Sequence, residues 1–300
     1  MGRVVHRTAQ LRAAGYTVGE LHRMRRTGAL TSVRRGVYVA GAQPDDAAVR
    51  HLLLVRAALA ELDGSSVVSH ASAAVVHGLS VWGLPLDVVA VTRDRSRTGA
   101  RRSNLVHVHS APLSCDEVVV VDGLPCTSVA RTVVDLARIA PFEQAVVSAD
   151  AALRGGLERP LLVEALQRAT GWVGVPAARR AAAFADGRSE SVGESRSRVA
   201  IARAGLPPPA LQWPVRYGAS TAYADFAWVA QRTVGEFDGK VKYGRQLLRP
   251  GQDVGDVVYE EKLREDAIRE EDWGVARWTW RDLDDFGPTA VRIRKRFRAG

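Results

Sequence analysis

Tryptophan is spread unevenly along this chain: one residue stands at position 82 and six of the seven lie after residue 171. An indole needs a large apolar surround, so this clustering predicts a C-terminal core with its own packing style. A chain of 300 residues also exceeds what one hydrophobic core usually supports. We therefore expect an α+β multidomain protein divided at 1–45, 46–155, 156–187 and 188–300, the third segment being an Ala- and Arg-rich helical connector.

Composition limits the function classes. The 46% hydrophobic and 25% charged residues are ordinary for a chain that folds throughout. A formal charge of +9 favours a polyanionic partner, with nucleic acid first. Cys115 and Cys126 have neither CxxC spacing nor a surrounding His cluster, which argues against a zinc site and suggests two buried thiols in a reducing compartment. The start "MGRVVHRTAQ" has no apolar leader core, and no run is long enough to span a bilayer, so a cytoplasmic protein without a membrane partner is expected. Only four of the 42 basic residues are Lys, at 240, 242, 262 and 295. In so Arg-biased a chain these compact ammonium groups are informative.

Residues 1–45 contain acid only at Glu20 and Asp45. A helix is expected near 6–14, then a turn at Gly15. A second helix follows in "TVGELHRMRRTGAL", with Thr17 as N-cap and Glu20 completing a capping box before Gly28 closes it. "LTSVRRGVYVAG" reads as a short hairpin. This order is that of a winged helix-turn-helix, whose second helix would carry His22, Arg23, Arg25 and Arg26 into a major groove. Arg34 and Arg35 on the wing would meet phosphates. The competing reading is a solvated Arg-rich face on a small helical domain.

Residues 46–155 alternate between helix and strand periods, as expected of a mixed α/β domain. Helices are predicted at "DDAAVRHLLLVRAALAEL", "SHASAAVVHGL", "SVARTVVDLARIA" and "FEQAVVSADAALRGG", and strands at "DVVAVT", "NLVHVHS" and "EVVVVDGLPC". His70 with His77, and Arg131 with Asp135, read as packing and i,i+4 pairs more readily than as sites. On "LRAAGYTVGELHRMRRTGALTSVRRGVYVAG" (11–41), "SHASAAVVHGL" (69–79) and "VDGLPCTSVARTVVDLAR" (121–138), the first 155 or so residues resemble the AbiEi family of antitoxins from type IV toxin-antitoxin systems. The resemblance implies DNA binding through the winged helix, often at the protein's own promoter. It also implies a middle domain that meets a nucleotidyltransferase-like toxin.

The last segment carries the acids. In "VGEFDGKVKYGR" (234–245), strand alternation puts Glu236, Asp238, Lys240 and Lys242 on one side and Phe237, Gly239 and Val241 on the other. In "AYADFAW", Tyr223, Asp225 and Ala227 are expected to face one way and Ala224, Phe226 and Trp228 the other. A short turn at Val229, Ala230 and Gln231 would bring Asp225 beside Glu236 and Asp238. Like charges at cross-strand distance repel unless a cation lies between them, and a hard divalent ion such as Mg²⁺ suits oxygen ligands.

On "SVGESRSR", "ADFAW", "GEFDGKVKY" and "EKLREDAIREEDWGVARWTW", residues 188–283 resemble the PD-(D/E)XK nuclease superfamily, and more closely its branch similar to the very-short-patch-repair endonuclease. That likeness implies a restriction-endonuclease-like α/β domain using Mg²⁺ or Mn²⁺. Asp225 would be the first metal ligand and Glu236 or Asp238 the second. Lys240 would orient the attacking water, and Glu194 would complete the acidic cluster. The sequence departs from the family pattern in having Ala224 before Asp225, an extra acid at Glu236 ahead of the "DGK" triplet, and Lys242 where many relatives carry His.

Blander roles stand beside these. Glu194 has capping-box spacing to Ser191 and ion-pair spacing to Arg198. Glu236 and Asp238 could pair with Lys240 and Lys242 on an exposed edge strand, a usual device against aggregation. Lys262 and Arg264 fit a charged helix face, Arg277 is a candidate phosphate contact, and "VRIRKRFRAG" a backbone clamp. The expected function is a DNA-binding, Mg²⁺-dependent endonuclease. The alternative is an AbiEi-like antitoxin or transcriptional regulator whose nuclease fold binds without cutting.

Overall fold

The computed structural model describes residues 5–62, 64–94, 105–217, 220–239 and 273–297. Two compact units emerge, one of residues 1–152 with 156–184 and the other of residues 153–155 with 185–300. Among the described residues the architecture is mixed α+β, with three sheets.

The first unit begins with β1 (Val5–Arg7), α1 (Thr8–Ala13), α2 (Val18–Arg26), β2 (Leu30–Arg34) and β3 (Val37–Ala40). The three strands form a sheet in the order β1-β3-β2. The expected first helix thus starts two residues late, because Val5 to Arg7 pair with Val37 to Val39. The capping box of α2 is formed: Thr17 Oγ1 accepts from Glu20 N at 3.2 Å, and Glu20 Oε2 accepts from Thr17 N at 2.7 Å. Gly15 and Gly28 both take the positive φ that ends a helix turn. Leu11, Leu21 and Leu30 supply the small core beneath.

Next come α3 (Ala47–Leu59), β4 (Val67–Val68), α4 (His70–Val76), β5 (Val89–Arg93), β6 (Val106–Ser110), β7 (Val118–Val121) and β8 (Leu124–Thr127). Their sheet runs β6-β5-β4-β8-β7. The single strand expected over "EVVVVDGLPC" is a hairpin: Asp122 and Gly123 both take positive φ and fold β8 back on β7. Helices α5 (Val129–Ile139), α6 (Phe142–Arg154), α7 (Arg159–Arg168) and α8 (Val175–Phe184) follow. The segment expected as a connector does form helices, and α7 and α8 pack on α5 within this unit.

Arg131 is 1% exposed; its Nε donates to Asp135 at 2.8 Å and its Nη1 to Glu117 at 3.0 Å. Its guanidinium lies 4.6 Å from the Trp172 ring centroid, with that of Arg138 at 4.9 Å. Trp172 therefore serves the first core rather than the second. Cys126 is buried as expected, and burial pushes its thiol up to about 11, so it is an inert packing group. Cys115 differs from expectation: it is exposed, at the start of a one-turn 3₁₀ segment.

The second unit opens with α9 (Val192–Arg203) and continues through β9 (Ala210–Tyr217), β10 (Ser220–Trp228), β11 (Thr233–Asp238), β12 (Gly274–Thr279) and α10 (Gly287–Arg296). The sheet order is β12-β11-β10-β9, with β9, β10 and β11 antiparallel and β12 parallel to β11. A 3₁₀ turn at Val229–Gln231 joins β10 to β11, as the spacing predicts. Strand β9 escapes sequence reading because the prolines at 207, 208, 209 and 214 look like coil. Phe226, Trp228 and Trp278 are buried between the sheet and α9 with α10. Each contributes on the order of 2 kcal/mol by burial. Trp278 Nε1 donates to Ser197 Oγ at 2.7 Å, so the indole is buried without an orphaned polar atom.

Candidate active site and nucleic-acid interface

Asp225 stands where β10 loses its regularity. The β9–β10 ladder pairs Ala224 with Trp213 and Phe226 with Leu211, and skips Asp225 and Gln212 between them. Gln212 takes φ +51°, a left-handed conformation uncommon for a residue with a side chain. Alternation breaks there too. Ala224 packs with Ala227 and Val234 in one cluster, while Phe226 and Trp228 pack with Trp278 in the other. The sequence expectation that Ala224, Phe226 and Trp228 share a face is thereby corrected. The irregular pair at Asp225 interrupts the period of two.

Asp225 reaches β11 directly: its Oδ2 accepts from Phe237 N at 2.8 Å. The β10–β11 ladder ends at Phe226↔Gly235, so Asp225 and Glu236 are the next residues along the two strands. Its carboxylate is thus held at the Phe237 backbone, the residue between Glu236 and Asp238. On the other side of β11, Glu236 is in register with Arg277 and Asp238 with Thr279 of β12. Phe237, between the two acids, packs against the opposite, Trp-rich core, which bears out the expected alternation.

Glu194 joins from α9. It is 8% exposed, and its contact with the N-cap Ser191 bears out the capping reading. Its backbone N–H donates to Ser191 Oγ at 3.1 Å, and its Oε1 accepts from the same hydroxyl at 2.8 Å. Its Oε2 accepts from Glu190 N at 2.8 Å and from Gln212 Nε2 at 3.0 Å. Sequence reasoning missed Gln212, whose strained backbone brings this donor to the carboxylate. Burial raises the Glu194 pKa above the ordinary carboxylate value, and the negative charge of Asp225 raises it further against the opposing hydrogen bonds.

Among the described residues no group of three or more His, Cys, Asp or Glu could hold a metal ion. The donor chemistry still suits Mg²⁺, which is commonly bound through one or two carboxylates together with waters and substrate phosphates. Lys240, Lys242, Lys262 and Arg264 lie outside the described residues.

Elsewhere in the unit, Arg277 is exposed on β12. In α10, Arg292 Nη2 donates to Asp282 at 3.1 Å and Arg294 Nη2 to the Ala204 carbonyl at 2.6 Å. Both guanidinium groups therefore have a structural use.

In the first unit, His22, Arg23, Arg25 and Arg26 of α2 are all exposed, and so is Arg35 at the hairpin tip. Arg34 closes β2. The basic residues thus sit on one short capped helix and the adjoining turn. Hydrogen bonds from Thr17 lower the Glu20 pKa, so the only acid in this region before Asp45 remains a capping anion.

The histidines of α4 are packing groups. His77 Nε2 makes a 2.7 Å hydrogen bond with the Thr127 carbonyl. His70 stacks on His109 with centroids 3.7 Å apart, and His107 lies 4.0 Å from His109.

No protein-family model matches the chain. Two curated proteins are similar to part of it, Uncharacterized protein MT2308 and Uncharacterized protein Rv2248 of Mycobacterium tuberculosis strains CDC 1551 / Oshkosh and ATCC 25618 / H37Rv. Each is 38% identical over 120 residues, 39% of this chain and 44% of the relative. The chain thus spans less than half the length of the curated relatives it matches. Among solved structures, that of the RV2827C protein from Mycobacterium tuberculosis aligns with a TM-score of 0.38 and 17% identity, over 61% of this chain and 77% of the other. Among the described residues no helix is long and apolar enough to cross a membrane.

Proposed function

We propose that the chain is a cytoplasmic DNA-binding protein whose second unit is a metal-dependent endonuclease domain. The observation that carries this reading is the Asp225 carboxylate, fastened to Phe237 N between Glu236 and Asp238 and repelling the buried Glu194. A repelling, partly buried pair of carboxylates of this kind is costly for folding alone and useful for holding a hard cation. Asp225, with Glu236 or Asp238, would hold Mg²⁺ or Mn²⁺. When bound, the ion supplies Lewis-acid polarisation of a phosphoryl oxygen and a more acidic water. The chain's own residues position the reactants. Asp225 is fixed by the β11 backbone and Glu194 is oriented by Ser191 and Gln212, while the nuclease resemblance implies Lys240 as the ammonium for the attacking water. The order of elements also supports the nuclease resemblance: a helix, three antiparallel strands and a fourth strand parallel to the third.

The winged-helix reading of residues 1–45 is supported by the exposed Arg23, Arg25 and Arg26 on a capped second helix beside a hairpin sheet. That same feature favours the second reading, an AbiEi-like regulator or antitoxin, with a nucleotidyltransferase-like toxin as partner, that binds DNA without cutting it. Plasmid incubated with the purified chain in Mg²⁺, in EDTA, and with Asp225→Ala separates the two. Cleavage that requires metal and falls at least about a hundredfold in the variant is the expected result. Gel retardation with no cleavage under any metal assigns the regulator.

A further inference from the structure

We propose that an aromatic groove on the second unit is a stacking site for an unpaired nucleobase of a DNA strand; the proposal deepens the nuclease reading above and rests on it for its role. The groove has a volume of about 480 Å³ and is lined by Trp213, Val215, Arg216, Tyr223, Val234 and Trp273 among others. The Trp213 and Trp273 rings have centroids 6.4 Å apart at 31°, and Tyr223 is 57% exposed. Trp213 and Trp273 pack on Ala224, Ala227 and Val234 while staying only partly buried, and with the exposed Tyr223 they leave aromatic surface on the groove wall. Aromatic faces are the common platform for single-stranded bases, because every base offers a π-face whatever its sequence.

Arg216 adds positive charge to the groove wall, in a chain of net charge +9, and this complements the phosphates flanking a base rather than an apolar peptide. The location fits the same substrate as the acids. Tyr223 precedes Asp225 by two residues on β10, and Val234 precedes Glu236 by two on β11. Because β10 and β11 are antiparallel, with Ala227 opposite Val234, these two lining residues stand on either side of the level of Asp225 and Glu236, each one strand repeat, about 6.6 Å, away along the backbone. A base paired within a duplex cannot present its face here, so the groove selects a melted, mismatched or single-stranded segment.

The test is binding of the full chain, in EDTA, to a labelled single-stranded oligonucleotide and to the duplex of the same sequence, read by fluorescence anisotropy. Tyr223→Ala and Trp273→Ala are expected to weaken single-strand binding about tenfold or more. Tyr223→Phe, which keeps the ring, should bind like the parent chain, and duplex affinity should change less than about twofold in all three. Circular dichroism confirms that each variant is folded. The proposal is overturned if the parent chain does not bind the single strand, if Tyr223→Ala binds it as well as the parent, or if Tyr223→Phe loses as much as Tyr223→Ala. Because no metal is present, the outcomes separate cleanly. Ring-dependent binding without cleavage in Mg²⁺ removes only the nuclease reading, and cleavage with ring-independent binding removes only the stacking site.

Discussion

Two residues set the electrostatics of the second unit, Asp225 and Glu194. Asp225→Asn keeps an acceptor for Phe237 N while removing the charge, so the Glu194 pKa should move down toward the ordinary carboxylate value. A carboxyl ¹³C NMR titration measures this; an unmoved Glu194 would mean that the two acids are not coupled. In the first unit, burial holds His70 and His109 at about 3, with Arg138 nearby lowering both, Arg131 also lowering His70, and Asp135 opposing the shift at His109. An unfolded imidazole titrates near 6.5, so below that pH the unfolded chain binds more protons than the folded one. Stability is therefore fully present above about pH 6.5 and falls as pH drops toward 3, by up to about 1.4 kcal/mol per pH unit for each ring. Urea midpoints across pH 7.5 to 4.5 should show this slope, and His70→Asn should flatten it, since Asn tolerates the φ of +52° found there.

Close approach at two helices explains much of the element packing. A Cβ built on Gly193 of α9 would lie 1.9 Å from Phe237 Cε1, and Phe237 sits between Glu236 and Asp238 on β11. The glycine lets α9 come down onto the strand that carries the acids. Gly193→Ala should therefore destabilise the second unit by roughly 1–3 kcal/mol and displace Glu194. A lowered thermal midpoint together with reduced Mg²⁺-dependent cleavage is the expected result. On α5, Asp135 accepts from both Arg131 and Arg138. Asp135→Ala leaves the buried Arg131 with a partner missing and should cost about 3–5 kcal/mol, measurable by chemical denaturation of the first unit.

At the scale of the whole molecule, DNA affinity should depend steeply on salt, and replacing Arg23, Arg25 and Arg26 together with Ala should reduce the log-log slope by about 2 to 3. Titration of a labelled duplex between 50 and 300 mM salt checks this. Much of that surface, and of the fold, is legible in the sequence. Thr17 with Glu20 marks α2, the runs around 89–93 and 106–110 mark strands, and Val229 to Gln231 marks the β10–β11 turn, because caps, alternation and tight turns are local properties. Strand β9 and the short strands β1 and β4 were not legible, since each exists through pairing with residues distant in the chain or hidden behind prolines. The acids Asp225, Glu236 and Asp238 could be named from spacing, but Gln212 and the Trp213, Tyr223 and Trp273 groove could not. Sequence alone determined which residues carry charge and which segments favour helix or strand, because those are properties of a few neighbouring residues. Only tertiary structure decided that Asp225 is tied to β11, that its charge reaches Glu194 and that three aromatic rings open on one groove. Those depend on the twist and register of strands that meet only when the chain is folded.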